Sequence, residues 1–169
     1  MTITGSEKSE NLLDKRAFGN ILAIDYGRKR VGLAGCQTEL PIAFGITTLT
    51  INGLNDLMVQ IKPILRERCV QKVVIGFPLT LGDKPGTLKA EILQLGKLLQ
   101  SEGLTVHFVD EALSSRRAGA ILRKRGRRAR KSDHDRTAAA LILQEFLEGR
   151  LPPLSPEEID PGQRESSQD

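Results

Sequence analysis

Ile21-Leu22-Ala23-Ile24-Asp25-Tyr26-Gly27-Arg28-Lys29-Arg30-Val31-Gly32-Leu33-Ala34-Gly35-Cys36 is the stretch that decides the fold. A short apolar run ends abruptly in an acid, as a buried strand does on leaving the core. Tyr26 to Lys29 reads as a turn, and Arg30 to Cys36 as a second strand. Ile42 to Thr48 reads as a third, and connections this short predict an antiparallel meander. Leu54, Leu57, Met58, Ile61, Ile64 and Leu65 then recur at helical spacing, with Pro63 expected to kink or restart the helix. Lys72 to Ile75 reads as a buried strand followed by a loop from Gly76 to Gly86. Leu88, Ile92, Leu95 and Leu99 mark another helix, closed by Gly103. Leu104 to Val109 is a fifth strand. Helices are expected from Ser114 to about Lys124 and from about Asp133 to Glu148. The order β-β-β-α-β-α-β-α-α predicts an α/β protein, with a mixed sheet covered by helices.

The 169 residues suit one domain. Residues 1–18, rich in Ser, Glu, Lys and Asn, read as a flexible leader, 19–150 as the folded domain, and 151–169 as a flexible acidic tail holding four of the eight prolines. No apolar run approaches the ~20 residues of a membrane helix, and the N-terminus lacks the pattern of a secretory signal. Cys36 and Cys69 are not at metal-ligand spacing, and their apolar neighbours predict buried thiols in a reducing compartment. Cytoplasm is the expected location.

The net charge of +4 conceals an asymmetry: residues 1–150 hold 24 basic and 16 acidic side chains. Arg116 to Lys131 contains nine basic residues in sixteen and no acid. A one-sign cluster of this density is an electrostatic footprint for a polyphosphate backbone, although a solvated helix face would look similar.

Three acids are candidates for chemistry. Asp25 ends the first strand, where a carboxylate is costly unless paired, solvated or bound to metal. It could equally form an Asx-turn before Gly27. Asp110 and Glu111 follow the fifth strand on opposite faces, and alternation does not choose between them. Asp135 aligns with Ala139, Ile142 and Phe146 on one helical stripe, which directs it inward. A first-turn acid complementing the helix dipole would explain its presence but not that direction. His107 reads as structural, and His134 is not at zinc spacing. Acids at the ends of separate elements suit hard cations such as Mg²⁺ or Mn²⁺.

The chain resembles the YqgF family of bacterial Holliday-junction-resolvase-like proteins, to which pre-16S rRNA nuclease activity is ascribed. The resemblance covers about residues 20–148 and rests on four blocks. These are Ile21 to Gly27 with Lys29 to Ala34; Val73 to Leu79 with Gly82; Val109 to Ser115 with Ala118; and Asp135 with Ala138, Ala139, Leu141, Ile142 and Leu143. It implies an RNase H-like fold and a catalytic, metal-holding triad of Asp25, Glu111 and Asp135, thereby choosing Glu111 over Asp110. Asp25 would be shared between two Mg²⁺ or Mn²⁺ ions.

Pre-rRNA is the expected substrate ahead of branched DNA, with precursor ribosomal particles as possible partners. Arg116, Arg117, Arg125, Arg127, Arg128, Arg130 and Lys131 would bind nucleic acid by gripping phosphates. Gly76, Phe77 and Pro78 would shape the rim. The sequence departs from the family at Ala112, where a basic residue is usual, and at Ala138, where resolvase relatives can carry a fourth acid.

Three other readings stand beside this one. The same fold can resolve DNA junctions, which requires a symmetric dimer, and no dimer stripe stands out. An actin-like ATPase domain could use Asp25-Tyr26-Gly27 with Gly32, but such enzymes need two domains to enclose ATP. A non-catalytic ribosome-assembly factor would keep the basic stripe, but would have no reason to retain an inward Asp135.

Overall fold

The computed structural model describes residues 20–36, 40–79, 88–112 and 131–161, with the backbone alone for 131–137. Five strands form one sheet: β1 (Ile21–Tyr26), β2 (Arg30–Cys36), β3 (Ala43–Thr50), β4 (Lys72–Phe77) and β5 (Thr105–Asp110). The helices are α1 (Leu54–Glu67), α2 (Leu88–Ser101), α3 (Lys131–Leu147) and the short α4 (Pro156–Ile159).

The sheet order is β3-β2-β1-β4-β5. The first three strands form the antiparallel meander, whereas β1, β4 and β5 run parallel. Parallel neighbours need crossover connections, and α1 and α2 supply them. Alternation along each strand then sorts the core into two layers. Leu22, Ile24, Tyr26, Val73, Ile75 and Phe77 pack with the apolar stripes of α1 and α2. Ile21, Ala23, Ala34, Val74 and Val109 face Ala139, Ile142 and Leu143 of α3. Small residues on this second face let α3 lie close to the sheet.

Several boundaries differ from the sequence reading. β4 continues through Gly76 and Phe77, where a loop was expected, because both still pair with β5. α1 runs through Pro63 without a break. The carbonyl that Pro63 deprives of a donor belongs to Val59, which is 72% exposed, so water can satisfy it. Cys36 is buried as expected, but Cys69 is exposed. It occupies the turn after α1 with φ +50°, which turns its side chain outward while Val70 enters the core.

The largest difference lies at the C-terminus, where the expected flexible tail begins at 151. Leu151 is buried, and Leu154 and Ile159 pack on the core. The Leu154 N–H donates to the Phe108 carbonyl at the open edge of β5 (2.7 Å). Ser155 caps α4 in a capping box with Glu158. Residues 151–161 are therefore a strap across the sheet edge. The expected leader, the helix at 114–124 and residues 162–169 lie outside the described residues.

Candidate active site

The carboxyl ends of β1, β4 and β5 meet at one edge of the sheet because the three strands run parallel. Asp25 lies on the α3 face, two residues beyond Ala23, and pairs across β2 with Gly32. Continuing the β1–β4 register one step past Ile24 and Ile75 sets Asp25 level with Gly76. Both lateral neighbours of Asp25 are thus glycines.

Glu111 follows β5 on the face of Val109, with its N–H donating to the Phe77 carbonyl (3.1 Å). Its side chain leans over Gly76. A Cβ placed on Gly76 would lie 3.4 Å from Glu111 Cβ, 3.6 Å from Glu111 Oε2 and 3.0 Å from Ile142 Cδ1. Gly76 is therefore where β4 makes room for the acid of β5 beneath α3.

Glu111 Oε2 is buried without a hydrogen-bond partner among the described residues. Burial pushes the carboxyl above the usual carboxylate range, and the charge of Asp110 pushes it in the same direction. Asp110 itself is engaged locally. Its Oδ1 accepts from the Ala112 N–H (3.0 Å), closing an Asx turn at the strand end.

Asp135 lies on α3, two helical turns before Ile142 and in line with it. Ala139 and Ile142 of that stripe are buried and Phe146 is partly buried, as the periodicity predicts. The side chains of Asp135, His134 and Lys131 are outside the description. So are all atoms of Arg116, Arg117, Arg125, Arg127, Arg128 and Arg130. Among the described residues no three His, Cys, Asp or Glu side chains form a metal-holding group. Two of the three expected acids are thus described in full, on one face and flanking one glycine. Ala138 is buried, so the position at which relatives can carry a fourth acid belongs here to the core.

Of the expected rim, Gly76 lies at the site, whereas Phe77 is fully buried on the opposite face, edge-on to Phe108 (ring centroids 5.7 Å). His107 stacks obliquely on Phe146 (5.8 Å), in keeping with a structural role.

A cluster on the far side of the sheet is not apparent from the sequence. Glu91 of α2 accepts from Tyr26 Oη through Oε2 (3.0 Å) and from Arg28 Nε through Oε1 (2.9 Å). Burial and the Glu91 carboxylate hold the Tyr26 phenol up to about 12, so it remains a donor. Tyr26 stands beside Asp25 in the chain, but its partner comes from a helix 65 residues away.

Comparison with known proteins adds four findings. A family model described as RuvX, Holliday junction resolvase, matches residues 19–149. A protein of Thermosynechococcus vestitus named "Putative pre-16S rRNA nuclease" is 38% identical over 134 residues, 78% of this chain and 89% of that relative. One of the same name from Opitutus terrae is 37% identical over 139 residues, 80% of this chain and 95% of that relative. Among solved structures, Thermus thermophilus RuvC superposes with a TM-score of 0.53 at 13% identity, over 79% of this chain and 99% of that chain. This last likeness concerns the fold alone, which is RNase H-like. With most of its length matched, the chain belongs to the RuvX family, described as Holliday junction resolvase.

Proposed function

We propose that this chain is a metal-dependent nuclease that hydrolyses phosphodiester bonds in the 5′-end processing of pre-16S rRNA, with Asp25, Glu111 and Asp135 as its catalytic carboxylates. The observation that carries the reading is the placement of Asp25 and Glu111. They share one sheet face beside Gly76, with a Glu111 oxygen buried and without a hydrogen-bond partner among the described residues. A buried carboxyl oxygen without a partner is costly and fits a hard cation such as Mg²⁺ or Mn²⁺. The family and the names of the relatives support nuclease activity and the rRNA substrate.

When bound, such cations supply an activated water and stabilise the leaving oxygen. The protein's own residues do the remaining work. Asp25, at the end of β1 opposite Gly32 and level with Gly76, would hold such a cation on the face where a substrate phosphate is to be cut. Glu111 supplies an oxygen from β5, held by its backbone bond to Phe77. α3 brings Asp135 toward the same edge and covers the sheet behind the acids.

The basic residues Arg116, Arg117, Arg125, Arg127, Arg128, Arg130 and Lys131 grip phosphates without reading bases. Replacing two of Arg125, Arg127, Arg128 and Arg130 should weaken binding to all substrates alike and flatten its salt dependence, as filter binding across a salt series would show. The nuclease activity would reside in residues 19–150, on which the strap of 151–161 packs. Among the described residues no helix is long and apolar enough to cross a membrane. The protein would act in the cytoplasm, where precursor ribosomal particles assemble.

The test is cleavage of a pre-16S rRNA 5′ fragment and of a four-way DNA junction with Mg²⁺ or Mn²⁺, by wild type and by Asp25→Asn. Metal-dependent cleavage of the RNA, lost in the variant, is the expected result. Preferential cutting of the junction would move the substrate to branched DNA, a reading that the family description favours. Tight binding without cleavage by either protein would leave an assembly factor.

A further inference from the structure

We propose that Glu91 is a positioning residue for Asp25, acting through the sheet from the layer opposite the site. The inference rests on the reading of Asp25 as a catalytic carboxylate and adds a residue that the reading does not use.

Asp25 and Tyr26 are consecutive in β1, so their side chains leave opposite faces. Asp25 faces α3. Tyr26 is buried in the layer of α1 and α2, where its phenol donates to Glu91. Two residues on, after the turn at Gly27, Arg28 donates to the other oxygen of the same carboxylate. A Cβ on Gly27 would lie 2.6 Å from the Arg30 carbonyl oxygen, so the turn is closed on itself.

One α2 side chain thus holds both sides of Gly27 by separate oxygens. The peptide that carries Asp25 is fixed at the strand on one side and at Tyr26 and Arg28 on the other. Glu91 is only partly exposed (30%), whereas the Arg28 side chain is more open (57%). The Arg28 contact alone would therefore be loosened by solvent, while the phenol contact is sheltered. Small displacements at a reacting centre are expensive: a misplacement of about 1 Å can cost on the order of 100-fold in rate.

The experiment compares wild type, Glu91→Ala, Tyr26→Phe, their double variant and Asp25→Asn. It measures kcat and KM for the RNA fragment and, separately, Mn²⁺ binding by calorimetry without substrate. Glu91→Ala should lower kcat by about 10- to 100-fold with little change in KM, and should weaken Mn²⁺ binding. Tyr26→Phe should do the same to a smaller degree. The double variant should be no worse than Glu91→Ala, because both changes release one brace. Glu91→Gln, which can still accept from Arg28 and meet the phenol, should recover most of the lost rate.

A fall in thermal stability with kcat and Mn²⁺ binding intact would overturn the proposal. A rise in KM alone would also overturn it, since that would make the cluster a substrate contact through Arg28. Full activity of Asp25→Asn would instead defeat the reading of the site, whatever Glu91 does.

Discussion

Exchanging Glu111 for Gln replaces a carboxyl whose charged form burial disfavours by a neutral amide of the same shape. The metal-free variant should melt at a higher temperature than wild type at neutral pH, because a carboxyl with a raised folded pKa costs stability above its unfolded pKa. The same variant should lose cleavage by at least about 100-fold if a cation needs that oxygen. Differential scanning calorimetry and a cleavage assay on one preparation check both signs. His107 adds a pH dependence of its own. Burial, and then the charge of Lys72, hold its pKa below the ordinary 6.5, so the unfolded chain takes up a proton before the folded one does. The stability that neutral His107 contributes is present above 6.5 and is lost as pH falls through the lowered folded value. The melting temperature of wild type should therefore drop more steeply below that pH than that of His107→Gln. At this scale the sequence is partly legible. Asp25 stands out as a charge ending an apolar run. Periodicity leaves Asp110 and Glu111 level, and what separates them in the structure is local: one closes a turn and the other leans over Gly76.

Elements with strong periodicity are readable, and those shaped by distant contacts are less so. β1, β2, α2 and α3 fall within two or three residues of their expected bounds because alternation or an apolar stripe fixes each. β4 runs past its expected end because a Gly in a strand looks like a loop until its partner strand is known. The strap at 151–161 has the prolines and acids of a loose tail, which hide its order. Its own signals are nonetheless present: Ser155-Pro156-Glu157-Glu158 is a capping-box start, and Leu151, Leu154 and Ile159 are spaced to reach a surface. The strap predicts a measurable contribution. Leu151 is 3% exposed in the layer of α3, so Leu151→Ala should cost about 2–4 kcal/mol, read from urea unfolding. An unattached tail would give no change.

At the scale of the whole molecule, two carboxylates belong to strands that never touch. β4 lies between β1 and β5, and the crossovers through α1 and α2 must both be complete before Asp25 and Glu111 share an edge. The meander of β1, β2 and β3 has connections of few residues, whereas the two parallel pairings close long loops, and contact order puts the meander first. The order of assembly follows from this. The chain first makes a β1–β3 unit that already displays Asp25, and only the last dockings bring the second acid toward it. A cation that binds both acids finds no such site while the barrier is being crossed. Added Mn²⁺ should then slow unfolding in stopped-flow denaturant jumps and leave the refolding rate nearly unchanged. The chelating site would act as a latch on the finished fold and not as a nucleus for its formation.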